Sequence, residues 1–211
     1  MIKTRFCERL VASVLCLVAR VLTGVRPQWL SAAPDARPRI YFANHRSHGD
    51  FLLIWASLPP SVRHLTRPVA AADYWSCGAL RRYIAHRAFR AVLIDRTHPA
   101  CGKNAVQQMS EALSAGDSLI LFPEGTRNLE EGVMPFKSGL FHLASEHPEV
   151  ELIPVWIENL GRVMPKGAFM PAPLICSLVF GESLHRHTDE PRNEFLARAR
   201  TALLALAPDN D

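Results

Sequence analysis

The segment Asn44 to Asp50, with the sequence NHRSHGD, carries the side chains best suited to proton transfer. If Ser47 caps a following helix, His45 stays in the loop, Asp50 lies in the first turn, and the two side chains can meet. Asp50 would then accept the Nδ1 proton of His45 and leave Nε2 free to take a proton from a substrate hydroxyl. A purely structural alternative stays open, because Ser47 and Asp50 also have the spacing of a capping box.

A second polar segment lies in LILFPEGTR, Leu119 to Arg127, where an apolar strand runs directly into a turn of Glu124, Gly125, Thr126 and Arg127. Gly125 permits a close backbone approach or a positive φ. Arg127 offers a planar guanidinium suited to phosphate. The turn is therefore a candidate anion site, although Glu124 and Arg127 could instead simply pair with each other.

Two further cations border predicted elements. Arg96 follows the strand in VLIDR, and Lys137 precedes a helix start at Ser138. Unsatisfied N–H groups at a helix start favour an anion, so Lys137 would strengthen such a site. If Arg96, Arg127 and Lys137 leave the sheet at the same edge as His45, a base and a phosphate clamp are neighbours.

The elements that must position these residues are short apolar runs alternating with helical patterns, which is typical of an α/β domain. Open α/β sheets gather ligands at strand ends that face helix starts. Strands are predicted at Ile40–Ala43, Pro68–Ala72, Ala91–Asp95, Ser118–Phe122, Leu152–Ile157 and Leu174–Phe180. Helices are predicted at Asp50–Leu58, Cys77–Ala85, Lys103–Ala115, Ser138–His147 and Arg192–Leu206. A chain of 211 residues fits one such domain, which we predict over residues 39–207.

Charge is divided unequally along the chain. Residues 1–103 carry 16 Lys and Arg against 5 Asp and Glu, whereas residues 104–211 carry 8 against 15. A basic half attracts nucleic acid or the anionic lipids of a cytoplasmic leaflet. The basic half lacks an aromatic-rich binding pattern and the spacings of a zinc finger or a helix-turn-helix, so the sequence predicts no nucleic-acid partner.

The N-terminal segment favours a lipid membrane as the partner of the basic half. The apolar run between Arg9 and Arg20 is ten residues long, and a helix needs about twenty to cross a bilayer. Apolar residues recur at helical spacing with cations beside or opposite them, which predicts an amphipathic helix lying in the membrane interface within residues 1–30. A buried core helix is the alternative. A cleaved signal peptide is disfavoured because no cleavage site follows the run. The apolar positions are Phe6, Leu10, Val14, Leu17, Val18, Val21, Leu22 and Val25.

The five cysteines are scattered and odd in number, which is typical of a reduced, cytosolic-side protein. His45 and His48 have no third potential ligand at a regular spacing, so we predict no metal site. For His48 an exposed loop residue without a role is the alternative interpretation.

Four segments together resemble the glycerolipid acyltransferases that include bacterial 1-acylglycerol-3-phosphate acyltransferases. NHRSHGD resembles the first block of that family, VLIDR the second, FPEGTR the third and LIPVWI the proline-centred fourth, in family order over about residues 39–185. The second block lacks the glycine that often opens it, and Gly49 precedes Asp50 where bulkier residues are frequent. These departures leave the acceptor preference open.

The resemblance implies an α/β domain, a single-domain αβα sandwich with a mostly parallel or mixed sheet, preceded by the N-terminal helix. It implies His45 as general base, oriented by Asp50, and a glycerol-phosphate site formed by Arg96, Glu124, Gly125 and Arg127. Thr126 belongs to the same turn, and Lys137 is added from its position alone.

The expected reaction moves a fatty acyl group from acyl-CoA or acyl carrier protein to lysophosphatidate, in phospholipid biosynthesis at the cytoplasmic face of the inner membrane. Hydroxyl attack on a thioester needs a base and an oxyanion site, and it needs no cofactor. The donor, its chain length, the residues of the oxyanion site and the oligomeric state stay open.

The sequence also bears on three other functions. Another lysolipid acceptor is compatible with every motif. A catalytically inactive lipid-binding module is opposed by the intact His45 and Asp50. A hydrolase or acyl-enzyme transferase is opposed by the absence of a Gly-x-Ser-x-Gly segment and of a recognisable nucleophilic cysteine.

Overall fold

The computed structural model describes residues 2–31, 34–47, 49–95, 105–128, 130, 132–158 and 176–208, with side chains from residue 10 onward. The strands are β1 (Arg26–Trp29), β2 (Arg39–Ala43), β3 (Thr66–Ala71), β4 (Val92–Ile94), β5 (Ser118–Leu121), β6 (Glu151–Glu158) and β7 (Ser177–Phe180). They form one sheet in the order β1-β7-β6-β2-β5-β3-β4. β4, β3, β5, β2 and β6 are parallel, whereas β7 is antiparallel to β6 and β1 is parallel to β7. The predicted mixed sheet is confirmed.

Helices cover both faces of this sheet. They are α1 (Ile2–Thr23), α2 (Asp50–Ser57), α3 (Pro60–Arg63), α4 (Ala72–Trp75), α5 (Ala79–Tyr83), the π-helical segment Ile84–Ala88, α6 (Ala105–Ser114), α7 (Gly139–Glu146) and α8 (Arg192–Leu204). The apolar cluster on one face combines residues of α1 and α2 with the sheet, and the cluster on the other face combines residues of α6, α7 and α8 with it. The predicted single-domain αβα sandwich is confirmed.

The central strand β2 shows why the apolar runs predicted this fold. All five of its residues are buried. Tyr41 and Ala43 belong to the cluster on one face, while Ile40 and Phe42 belong to the cluster on the other. Side chains alternate between the faces of a strand, so a strand covered on both sides is apolar along most of its length, here Ile40–Ala43. Arg39, at its start, is buried but forms an ion pair with Glu151.

The predicted interfacial segment, residues 1–30, comprises two elements instead of one. α1 ends at Thr23, and β1 then pairs with β7 at the edge of the sheet. β1 has the sequence RPQW and is mostly exposed. Pairing with β7 makes this segment a strand, and its residue types did not predict one.

α1 packs one narrow face on the domain. Ala12, Cys16 and Ala19 are buried against the cluster that includes α2, so the core-helix alternative holds for this face. Large apolar side chains occupy the opposite side and are exposed: Leu10, Val14, Leu17, Val18, Val21 and Leu22. We call these six residues the α1 stripe. Within the described part of the chain, no helix combines the length and apolar character needed to cross a membrane.

Most predicted element boundaries lie within two residues of the observed ones. The predicted helix Cys77–Ala85 is observed as the shorter α5, because the chain turns at Gly78 with φ +88° and α5 continues directly into the π-helical segment. The first residues of the predicted Lys103–Ala115 helix and Leu174–Phe180 strand lie outside the described residues.

Candidate active site

The carboxyl ends of β2, β5 and β6 meet at one edge of the sheet. Asn44 and His45 directly follow β2, Glu124 follows β5, and Ile157 lies near the end of β6. β2 lies between the other two strands, so residues more than 70 positions apart in sequence become neighbours. The edge therefore holds most of the residues that the sequence marked for chemistry.

His45 and Asp50 form a pair at this edge. Nδ1 of His45 lies 2.8 Å from Oδ2 of Asp50, and Nε2 makes no hydrogen bond to a described residue. The His45 side chain is 16% exposed and that of Asp50 is 1% exposed. A buried carboxylate thus holds Nδ1, while the ring stays accessible to a substrate on its other side.

Asp50 is held mainly by backbone amides. Its Oδ2 accepts hydrogen bonds from the N–H groups of Arg46 at 2.7 Å and Ser47 at 2.9 Å, in addition to His45. Its Oδ1 has no hydrogen-bond partner among the described residues. The charge of Asp50 also acts on Cys176. Burial, together with the negative charges of Asp50 and Glu158, raises the pKa of the Cys176 thiol to about 11. The amides stabilise a carboxylate that is otherwise removed from water.

His45 and Asp50 were expected to meet if Ser47 capped α2, and Ser47 is not the cap. Gly49, not Ser47, is the N-cap of α2, and the cap makes no side-chain hydrogen bond. The Ser47 hydroxyl instead accepts from the Gly49 N–H at 3.2 Å. The loop is nevertheless tight enough for Asp50, the first residue of the helix, to reach back to three donors.

Glu124 links the backbone at His45 to the backbone at Met134. Its Oε1 accepts the His45 N–H and its Oε2 accepts the Met134 N–H, each at 2.9 Å. The residue is buried, and these two amides donate hydrogen bonds to its carboxylate. The His45 carbonyl in turn accepts the Asn128 N–H at 2.7 Å. Glu124 does not pair with Arg127, which removes the charged-turn alternative.

Asn44, Phe122 and Asn128 are site residues that the sequence reasoning missed. The Asn44 amide donates to the carbonyl of Ile157 at 2.9 Å and accepts its N–H at 2.8 Å, which joins the ends of β2 and β6. The Phe122 ring stacks on the His45 ring with centroids 4.1 Å apart. Asn44 and Phe122 were inside the quoted segments, but nothing in their spacing indicated these contacts.

Gly125 brings the turn after β5 against Lys137. Gly125 has φ +74°, and a β-carbon there would lie 2.8 Å from Cδ and Cε of Lys137. The glycine thus provides the positive φ and the space over which the Lys137 side chain lies. Lys137 also donates its backbone N–H to the carbonyl of Pro123 at 2.8 Å. The structure brings Lys137 to the turn, as its position in the sequence predicted.

Thr126 is exposed and Arg127 is half-buried in the same turn. No described carboxylate forms an ion pair with Arg127 or Lys137. Arg96 and His48 lie outside the described residues. No cluster of potential metal ligands occurs in the described ranges.

Comparison with known proteins gives the family and the fold. Residues 25–158 match the model of the Acyltransferase family. A 1-acyl-sn-glycerol-3-phosphate acyltransferase of Chlamydomonas reinhardtii is 33% identical over 136 residues, which is 64% of this chain and 38% of that protein. The enzyme of that name from Haemophilus influenzae is 28% identical over 147 residues, 66% of this chain and 56% of that protein. The chain thus spans only about two fifths to just over half of these relatives.

A solved structure has the same fold. The crystal structure of the 1-acyl-sn-glycerophosphate acyltransferase PlsC from Thermotoga maritima superposes with a TM-score of 0.70 and 21% sequence identity. The match covers 94% of this chain and 79% of that one. At this identity the likeness concerns the fold.

Proposed function

This chain belongs to the Acyltransferase family, and from that premise we propose that it transfers a fatty acyl group from a thioester donor to the free hydroxyl of 1-acylglycerol-3-phosphate. The observation that carries the proposal is the pair at the sheet edge, with His45 Nδ1 2.8 Å from a buried carboxylate and Nε2 turned away from it. The similar proteins named for this reaction supply the substrate class.

His45 acts as general base and Asp50 as its positioning residue. Nε2 takes the proton of the acceptor hydroxyl as the hydroxyl oxygen attacks the thioester carbonyl. The carbon–sulfur bond then breaks, and the imidazolium returns the proton to the departing thiolate, which leaves an ester and a free thiol. Asp50 holds the tautomer that makes Nε2 basic and stabilises the imidazolium between the two steps.

The acceptor phosphate binds beside Gly125. Arg127 and Lys137 supply positive charge, and no described carboxylate neutralises either. A guanidinium and an ammonium together suit a phosphate dianion. Thr126 is an exposed hydroxyl of the same turn, and Arg96 is included in the proposed phosphate site from its place in the sequence, two residues after the end of β4. Glu124, bound to two amides, serves this site by fixing the loop that carries His45.

The donor is acyl-CoA or an acyl carrier protein, and the reaction proceeds without a cofactor. The α1 stripe lies on the membrane surface, so residues 1–30 are an anchor as well as part of the fold, and residues 39–207 form the catalytic domain. An apolar helix surface flanked by Arg20 and Arg26, both exposed, fits the anionic cytoplasmic face of a cell membrane. Two other functions fit the same site less well: transfer to another lysolipid, and lipid binding without turnover.

A panel of acceptors and donors tests the proposal. The purified protein is given acyl-CoA or acyl carrier protein with lysophosphatidate, lysophosphatidylcholine or monoacylglycerol, and both thiol release and product are measured. We expect transfer to lysophosphatidate to exceed transfer to the other two, because only it carries a terminal phosphate monoester. Preference for lysophosphatidylcholine would contradict the acceptor, and no transfer to any acceptor would contradict the reaction.

A further inference from the structure

The segment that runs from α5 into the π-helical turn presents an unusual surface. Leu80 is 71% exposed and Tyr83 is 38% exposed, although both are large and largely apolar. The same segment is anchored from beneath by Ala85 and Phe89, which are buried in the core. Leu80 and Tyr83 therefore lie on a fixed part of the domain instead of a loose loop.

Positive charge surrounds these two side chains. No acidic residue occurs in residues 74–94, and Arg81, Arg82 and Arg87 are all exposed. The Arg81 guanidinium lies 4.5 Å from the centre of the Tyr74 ring, and no described carboxylate pairs with Arg82. The surface thus combines exposed apolar side chains with arginines, a composition suited to an anionic lipid interface.

This surface adjoins the α1 stripe. The π-helical segment Ile84–Ala88 packs directly on α1, and Ile84 and Ala88 join the same apolar cluster as Ala12, Cys16 and Ala19. Leu80 and Tyr83 precede that contact by a few residues. The segment that carries Leu80 and Tyr83 therefore continues directly into the element on which α1 packs, on the side of the sheet that α1 covers.

We infer that α5 and the π-helical segment form a second membrane contact, which docks on an anionic bilayer beside α1. Leu80 inserts among the lipid chains, Tyr83 lies at headgroup depth, and Arg81 and Arg82 bind lipid phosphates. Two contacts on one face fix the rotation of the domain about α1, which a single interfacial helix leaves free. The inference rests on the proposed membrane role of α1.

Vesicle binding of the full chain tests this second contact. Co-sedimentation is measured with phosphatidylcholine vesicles that contain or lack phosphatidylglycerol, for the wild type, Leu80→Ser and Arg82→Glu. Arg192→Glu is the matched control, because Arg192 is an exposed arginine on α8, on the opposite face of the sheet. Circular dichroism verifies the fold of each variant.

We expect Arg82→Glu to weaken binding to the anionic vesicles about fivefold or more, because each cation near such a surface contributes about a factor of five. Leu80→Ser should weaken binding to both kinds of vesicle, and Arg192→Glu should bind like the wild type. Equal binding by all four proteins, or an equal loss in Arg192→Glu, would overturn the inference.

Acyl transfer to a soluble short-chain lysolipid separates this inference from the proposed function. Arg82→Glu and Leu80→Ser should keep the wild-type rate in that assay. A wild type without transfer would contradict the proposed function, while the vesicle measurement, made without substrate, still decides the second contact. If Arg82→Glu raised the KM for acyl carrier protein and left vesicle binding unchanged, the surface would dock that acidic protein and the membrane contact would be refuted.

Discussion

At the scale of single residues, the orientation of His45 depends on three other residues. Asp50 fixes the ring from one side, the Phe122 ring packs against its face, and Glu124 holds its backbone N–H. Each of these contacts comes from a different place in the chain. A general base must be correctly oriented as well as basic. The residues that orient His45 come from several parts of the sheet edge.

Glu124→Ala separates a positioning role from substrate binding. The substitution leaves two buried N–H groups, of His45 and Met134, without their acceptor. We expect the free energy of unfolding to fall by about 2–6 kcal/mol, and kcat to fall with it, because each of the two buried unsatisfied donors costs about 1–3 kcal/mol. Urea denaturation and steady-state kinetics measure the two effects. A raised KM for lysophosphatidate with unchanged stability would show that Glu124 binds substrate instead.

The sequence allowed the His45–Asp50 pair to be predicted because the two residues are only five positions apart, across a short loop and a helix start, so local geometry brings them together. The contacts of Glu124 could not be predicted in this way. Its partner at His45 is 79 residues away, and both of its partners are backbone groups that leave no mark on residue type. The hydrogen bonds between Asn44 and Ile157 could not be predicted for the same reason, because these residues are 113 positions apart.

At the scale of elements, α1 shows how one helix serves two surfaces. The residues that face the domain are small, which lets the α1 backbone approach α2 and the π-helical segment closely. The large apolar residues of the helix are left outside. The hydrophobic pattern of α1 was read correctly as helical, but it could not show which side packs, because both sides are apolar.

Ala12→Leu tests the small buried face. Leucine adds volume where Ala12 is only 5% exposed, so we expect the free energy of unfolding to fall by about 1–3 kcal/mol. Val14→Ala, on the exposed side, should change it by less than about 0.5 kcal/mol. Thermal and urea denaturation of the two variants give the comparison. Equal stability of both would mean that α1 does not pack on the domain in solution.

The N-terminus of α8 carries a pH-sensitive bond. Glu190 accepts from Nε of Arg198 at 2.8 Å and from Nη2 at 2.7 Å. The Arg198 side chain, aided by the His187 N–H, lowers the pKa of Glu190 from 4.5 to about 2. A depressed carboxyl pKa contributes stability above the unfolded value, and that stability is lost as pH falls through the folded value.

We therefore expect Glu190→Gln to be less stable than the wild type at pH 7, with the difference disappearing as pH falls from about 4.5 toward 2. Denaturation midpoints across this pH range provide the measurement. Glu194→Gln, an exposed substitution in the first turn of the same helix, is the control. A difference between Glu190→Gln and the wild type that does not change with pH would exclude the ion pair as its source.

At the scale of the whole molecule, the α1 stripe and the sheet edge that carries His45 are connected through the fold. The carbonyl of Thr23, the last residue of α1, accepts the N–H of Cys176 at 2.9 Å, just before β7. Charge on Asp50 acts on that same cysteine. The end of the helix that would lie on a membrane is thus close to the candidate active site, where a lipid substrate would arrive.

Changing the stripe is a cleaner test of membrane binding than deleting α1, because deletion would uncover the core. Leu17 is 62% exposed and Val21 is 73% exposed. We expect Leu17→Ser with Val21→Ser to weaken binding to neutral and anionic vesicles alike, while salt weakens only the electrostatic part, by screening over about 8–10 Å. Ala197→Ser, an exposed apolar substitution on α8, is the control in co-sedimentation. Unchanged binding of the double variant would place the anchor elsewhere.

The central claim is that His45 removes the proton of the acceptor hydroxyl, and the rate of acyl transfer to lysophosphatidate by His45→Ala tests it most directly. We predict a fall of about a hundredfold or more, with unchanged circular dichroism and vesicle binding, because the neutral hydroxyl loses its base. His64→Ala, which removes an exposed histidine from the turn after α3, should transfer at the wild-type rate. A turnover close to that of the wild type in His45→Ala would contradict the mechanism.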